Sequence, residues 1–150
     1  MNNLRQVLSA LVMTRSRHPR FEGILPRIDC AGSARNPYCG DAVSITITLD
    51  ATGSRLAAVR CCVEGCALCK ASADLMAECL QGKTRQEAAQ FDSDFQQLLR
   101  VGHSAWAADH PLNALRAFAA LQAVPARSSC AVLPWQALRQ ALSTAGSVQL

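Results

Sequence analysis

The sequence is short of most features that would place a protein quickly. Aromatic residues make up only 5% of it, and alanine and leucine dominate the apolar set. That favours helices, with strands only where β-branched residues cluster. No hydrophobic run approaches the roughly 20 residues that a membrane span needs. The apolar run near the start, residues 7–13, is flanked by Arg5 and Arg15. It sits at the lower limit for a signal peptide, and no Ala-x-Ala cleavage site follows it. The acid-free, arginine-bearing start resembles a mitochondrial transit peptide, but the same stretch reads well as a first helix. Charge of one sign is scarce too: Lys+Arg 15 against Asp+Glu 11 gives a net charge of +4. So small a surplus, spread along the chain, argues for no nucleic-acid partner and fits docking onto an acidic protein. There is no repeat, no low-complexity tract and no second domain, so residues 1–150 are read as a single domain.

What the chain does have is cysteine, eight in 150 residues. Such a count means either a secreted disulfide framework or intracellular thiol and metal chemistry. A framework needs an export signal, and half of the residues are hydrophobic, enough for a core without disulfides. The expected compartment is a reducing cytoplasm, with no membrane partner and with the cysteines as thiols or metal ligands.

Hydrophobic periodicity orders the chain. Leu4, Val7, Leu8, Leu11 and Val12 share one helical face, which predicts a helix over about 3–14, ended by His18-Pro19-Arg20. Residues 21–38 read as loop. Val43, Ile45, Ile47 and Leu49 alternate with Ser44, Thr46 and Thr48, which predicts a half-buried strand over 42–50. After the turn at 51–54, a second strand over about 56–63 completes an antiparallel hairpin. A helix is expected over 66–81 with Gly82 as its cap, and a capping box, Thr84 with Glu87, opens the next. Further helices are expected at about 94–101 and 112–122. Pro125 reads as a break, Ser128 or Ser129 as the cap of a last helix to about 143, and Pro134 as part of its first turn. The fold class is α+β, a small antiparallel sheet packed on one face by several helices.

Three cysteines fall at element junctions. Cys39-Gly40-Asp41 precedes the first predicted strand, and Gly40 lets a thiolate and a carboxylate two residues apart face one point. Cys66 lies where the second strand hands over to a helix, and Cys130 at the start of the last helix. A helix N-terminus favours thiolate at both positions. Three thiolates and a carboxylate suit tetrahedral zinc, and equally an iron–sulfur cluster with one non-cysteine ligand.

Asn36-Pro37-Tyr38-Cys39-Gly40-Asp41 resembles the N-P-x-C-G-D motif of iron–sulfur cluster assembly scaffolds, the IscU and NifU N-terminal family. The segment Gly65-Cys66-Ala67-Leu68-Cys69-Lys70-Ala71-Ser72 resembles G-C-x-I-S-x-A-S, and Arg127 to Leu138 resembles R-x-x-C-A-x-L-x-W-x-A-L. His18 to Gly23 is faintly similar to N-P-R-N-x-G. The matches fall in family order over nearly the whole chain. The long stretch between Cys66 and Cys130, with Ser129 where the IscU branch has histidine, makes the SufU branch the nearest likeness.

The resemblance implies the SufE/NifU-like scaffold fold and a metal held by Cys39, Asp41, Cys66 and Cys130. It implies zinc, with a transient [2Fe-2S] cluster as possible cargo. It also implies a cysteine desulfurase that delivers sulfane sulfur to Cys39, with apo iron–sulfur proteins as recipients. Arg127 matches a basic family position near the site. The chain departs from the pattern at Cys69, where serine is usual, and at Val63, where glycine is common.

Each residue also has a plainer reading. Cys39, Cys66 and Cys130 could be buried structural thiols, and Asp41 a turn residue. Cys30, Cys61, Cys62 and Cys79 are read as passive, with only one of Cys61 and Cys62 facing the core. His103 and His110 are read as surface or loop residues, Trp135 as core, and Lys83, Arg85 and Arg100 as solvated. The rival from another class is a thiol–disulfide oxidoreductase using Cys66-x-x-Cys69. It leaves Cys39, Asp41 and Cys130 unexplained, and a hairpin precedes the motif where a βαβ unit is expected.

Overall fold

The computed structural model describes residues 2–148. Three antiparallel strands, β1 (Cys30–Arg35), β2 (Ala42–Leu49) and β3 (Leu56–Glu64), form a sheet in the order β1-β2-β3. Helices α1 (Asn2–Arg17), α2 (Ala67–Leu80), α3 (Arg85–Val101) and α4 (Pro125–Val148) surround it, with a 3₁₀ segment at Asn113–Ala123. The α+β class and the central hairpin are as expected. The alternation read in β2 holds in part: Val43, Ile45, Ile47 and Leu49 are buried and Ser44 is exposed, but Thr46 on the polar side is buried as well and accepts the Leu25 N–H.

Strand β1 lies inside the stretch read as loop. Its sequence, Cys-Ala-Gly-Ser-Ala-Arg, has no β-branched or aromatic residue to mark a strand. What holds it is tertiary. It pairs with β2 from Cys30↔Ile47 to Arg35↔Ala42, and α4 packs directly against it. The contact is closest at Gly32, where a Cβ would overlap the Ala137 carbonyl and stand 2.6 Å from the Ala141 nitrogen. Gly32→Ala should therefore cost about 1–3 kcal/mol, the usual range for overpacking, read as a lower denaturant midpoint.

The helices differ from expectation in bounds more than in existence. The capping box at Thr84 and Glu87 is present, but α3 runs unbroken to Val101, where two shorter helices were expected. It ends at Gly102, which has a φ of +85°. The segment expected as a helix at 112–122 is 3₁₀. Pro125 does not break the chain but opens α4, where its missing N–H costs little. Pro134 consequently sits inside α4, and it leaves the carbonyl four residues back, that of Cys130, without its helical donor.

The core is built from the inner face of the sheet, α2 and α4. It is capped by Phe95, Phe118 and Trp135, with Phe95 stacked 5.1 Å from Trp135. A buried ion pair docks α1. Arg15 donates through Nε to Asp74 Oδ2 at 2.8 Å, and the other oxygen of Asp74 accepts the backbone N–H groups of Arg20 and Phe21. No helix among the described residues is long and apolar enough to cross a membrane.

Candidate metal centre

Sheet register brings the site together. β1 and β2 pair as far as Arg35↔Ala42, which turns residues 36–41 into a closed loop at one end of the sheet. The Asn36 N–H donates to the Asp41 carbonyl at 2.8 Å, and Gly40, with φ +76°, donates to the Asn36 carbonyl at 2.9 Å. This loop thrusts the Cys39 thiol into solvent, while Asp41 turns inward and is only 3% exposed. β2 and β3 pair as far as Ala42↔Glu64, so Asp41 comes to lie beside Gly65 and Cys66. The Cys66 N–H donates to Asp41 Oδ1 at 3.2 Å. That bond fixes the carboxylate against the start of α2, for which Cys66 is the N-cap.

Gly65 is there because nothing larger fits. A Cβ on it would stand 2.5 Å from the Asp41 Cγ. Gly65→Ala should swing the carboxylate away and weaken metal binding about 10–100-fold, the range for lost ligand-orienting contacts. Titration with a chelator as competitor would measure it. Affinity within threefold of the parent would show that Asp41 tolerates the shift.

Ligand atoms of Cys39, Asp41 and Cys130 lie within 4.8 Å of one another. Cys66 falls outside that trio, and its thiol lies near enough to that of Cys130 to raise it. Burial and the neighbouring Cys66, Cys39 and Asp41 push the Cys130 thiol up to about 12. The reading of Cys130 as a thiolate stabilised by a helix N-terminus is corrected accordingly. α4 begins at Pro125, so Cys130 lies in its second turn, past the reach of the dipole. Asn36 ties the two halves of the site together: its Nδ2 donates to Ser129 Oγ at 3.4 Å, and its Oδ1 accepts the Tyr38 N–H. Asn36 and Gly65 were visible in the sequence only as letters of a motif, since their roles depend on contacts across strands.

The donor set fits a metal. Oδ2 of Asp41 is buried and has no hydrogen-bond partner among the described residues, which is costly for a carboxylate unless a cation meets it. Donors on a tetrahedral zinc stand roughly 3.5–3.8 Å apart, given bonds of about 2.0–2.3 Å. The trio needs only small side-chain movements to reach that spacing.

The other cysteines separate as follows. Cys61 is buried in the core, and Cys62 faces outward and donates to the Gly23 carbonyl. Cys79 donates to the Pro111 carbonyl, and Cys30 is buried beneath β1. Cys69 is different. It is wholly buried in the first turn of α2, and its thiol is pushed up by burial and then by the negative fields of Asp41, Cys66, Cys130 and Cys39. Trp135 is core, as read. His110 stacks on Trp106 with ring centroids 4.9 Å apart. Arg85, read as solvated, is half-buried and holds one nitrogen out of water without a partner. Arg127 lies in the first turn of α4 and lines a groove with Arg5 and Arg17.

Residues 8–146 match the family model described as the NifU-like N-terminal domain. The chain is 26% identical over 149 residues to the iron–sulfur cluster assembly scaffold protein IscU of Streptococcus pyogenes serotype M1, covering 99% of this chain and 91% of that protein. It is 28% identical over 141 residues to the zinc-dependent sulfurtransferase SufU of Bacillus subtilis strain 168, covering 94% and 92%. Among solved structures, the candidate SUF-system iron–sulfur cluster assembly scaffold of Fervidobacterium islandicum AW-1 superposes with a TM-score of 0.80 at 28% identity, over 91% of this chain and 97% of that one. The N-terminal part of a NifU-like protein from Brucella abortus gives 0.83 at 16% identity over 96% and 98%, a likeness of fold.

Proposed function

The chain belongs to the NifU-like N-terminal domain family, and on that premise we propose that it is an iron–sulfur cluster assembly protein that accepts sulfane sulfur at Cys39. The observation that carries this reading is a solvent-exposed thiol, Cys39, set within 4.8 Å of the Asp41 carboxylate and the Cys130 thiol. A thiol that only packs has no reason to stand exposed beside a partnerless buried carboxylate. We assign Cys39, Asp41, Cys66 and Cys130 as the donor set for zinc. The metal, when bound, supplies positive charge that keeps the thiols deprotonated and ordered. The similarity to a zinc-dependent sulfurtransferase supports zinc over iron as the resident ion.

The chain's own part is thiol exchange. The Cys39 thiolate attacks the outer sulfur of a persulfide on a pyridoxal-phosphate cysteine desulfurase. One sulfur–sulfur bond forms on Cys39 as the one on the desulfurase breaks, and the desulfurase cysteine leaves as thiolate. No outside oxidant or reductant is needed. Asp41, Cys66 and Cys130 remain in the protected half of the site. Tyr38, next to Cys39, is 97% exposed and gives an incoming partner an apolar surface beside the reacting sulfur. The recipients are apo iron–sulfur proteins, the compartment is the cytoplasm, and the chain works as a single domain.

The test is metal and labile-sulfide content of protein purified without oxygen, before and after incubation with a desulfurase, cysteine and ferrous iron. One tightly bound zinc, with persulfide on Cys39 and no cluster, is the expected result. Iron and sulfide in matching amounts with a visible absorbance band would make the protein a cluster scaffold instead. Cys39→Ser should abolish sulfur acceptance, and full acceptance by that variant would overturn the assignment.

A further inference from the structure

The helix that starts from Cys66 and the helix that carries Cys130 are joined by a short, buried hydrogen bond. Ser72 in α2 donates its hydroxyl to the Ala131 carbonyl in α4 at 2.6 Å, and neither residue has any exposure. A hydroxyl in this place needs a reason. Its chain neighbours Ala71 and Ala73, and Leu133 just beyond Ala131, are buried and apolar. Alanine would fill the position with no polar group to satisfy. Serines inside helices ordinarily turn the hydroxyl back to a carbonyl of their own helix, four residues earlier. This one crosses to another helix, and the carbonyl that it meets belongs to the residue next to Cys130.

The receiving turn is one that needs a tie. Pro134 leaves the Cys130 carbonyl without its helical donor, so the ladder of α4 lacks a rung where the thiol is carried. The contact between Asn36 and Ser129, on the other side of that turn, is long at 3.4 Å. α2 is tied to the opposite half of the site, because the Cys66 N–H at its start donates to Asp41 Oδ1. The Ser72 bond therefore fixes the weakened turn of α4 relative to the helix that holds Asp41.

We propose that Ser72 is a positioning residue, which holds the Cys130 turn of α4 where its thiol can share a metal ion with Asp41 and Cys39. The inference rests on the site reading above. The Ser72 hydroxyl is engaged by Ala131, so it acts through Cys130 and is not itself a ligand. Cys130 already lies within 4.8 Å of both partners, and the small movements that bring the donors onto an ion must not let this turn slide away.

Zinc affinity of the full chain, measured without oxygen against a competing chelator, tests this. Ser72→Ala should weaken binding about tenfold, the lower end of the range for lost ligand-orienting contacts. The loss should vanish in a Cys130→Ser background. There Ser72→Ala should change affinity less than about twofold, because the thiol that Ser72 positions is gone. Ala88→Gly is the control for stability alone. It weakens the first turn of α3, at the far end of the sheet where the Leu56 N–H meets the Lys83 carbonyl, and should leave zinc affinity within about twofold. Cobalt(II) gives a second reading: its sulfur-to-metal charge-transfer band should weaken in Ser72→Ala and match the parent in Ala88→Gly. An equal loss in the parent and Cys130→Ser backgrounds, or no loss in either, would overturn the proposal while leaving the site reading intact. So would a loss in Ala88→Gly as large as that in Ser72→Ala. A parent chain that binds no zinc would overturn both.

Discussion

Asp74→Ala should destabilise the fold by about 3–5 kcal/mol, the range for a buried ion pair that loses one partner. Asp74 is 3% exposed and serves three donors: the Arg15 guanidinium on one oxygen, and the Arg20 and Phe21 backbone N–H groups on the other. Removing it leaves a buried cation held only by Glu78, which accepts from Arg15 at 2.6 Å. It also strands two backbone donors where the chain leaves α1. Glu78 is 41% exposed, so Glu78→Ala should cost no more than about 1 kcal/mol. Asp74→Asn keeps an oxygen for the backbone groups and should fall between the two. Denaturant midpoints of the three variants give the comparison. A loss under about 1 kcal/mol for Asp74→Ala would mean that α1 docks by its apolar stripe alone. Metal affinity should change little in any of them, because Asp74 lies two turns along α2 from Cys66.

Elements whose identity is written in local pattern were legible in the sequence. The alternation through β2, the capping box at Thr84 and Glu87, and Cys66 at the start of α2 are local facts, and each is found in the structure. β1 was not legible, because six residues of small and polar type carry no strand signal. Only the β2 edge and the Gly32 contact with α4 make them a strand. α4 was misread at its start because proline both ends helices and opens them. Which role Pro125 takes depends on where the 3₁₀ segment delivers the chain. That one error moved Cys130 from the helix end into the second turn, out of reach of the dipole, and burial with the neighbouring Cys66, Cys39 and Asp41 raises its thiol instead. The proposed donors were legible, and grouped, as a motif set, while which of them lie nearest one another was not. The sequence treats Cys66 and Cys69 as a pair and all four donors as equals. The fold places Cys39, Asp41 and Cys130 close together and leaves Cys66 outside that trio, near Cys130.

Removing zinc should lower the thermal midpoint by about 8–16 °C. A ligand present at about a thousand times its dissociation constant stabilises by about 4.1 kcal/mol. For a chain of about 150–250 residues, each kcal/mol shifts the midpoint by about 2–4 °C. The loss has a structural location. Without a cation, the Asp41 oxygen stays buried and partnerless, and among the described residues the loop at 36–41 is hydrogen-bonded to α4 only through Asn36 and Ser129. The effect should also depend on pH with a definite sign. The Cys130 thiol of the metal-free protein is pushed up to about 12, so it binds metal only by releasing a proton throughout the neutral range. That thiol alone makes zinc affinity climb about tenfold per pH unit from pH 6 to 8. In the metal-free protein the same raised value contributes stability that is complete below about 9, the ordinary thiol range, and is lost only as pH rises toward 12. Cys130 therefore gives the metal-free form no slope between pH 6 and 8, whereas the loaded form should grow more stable across that window. Melting both forms at pH 6, 7 and 8, with a chelator in one series and zinc in the other, separates the two curves. Curves that coincide at every pH would leave the clustered thiols as ordinary buried cysteines. Curves that diverge upward with pH would tie the stability of this end of the sheet to the bound ion.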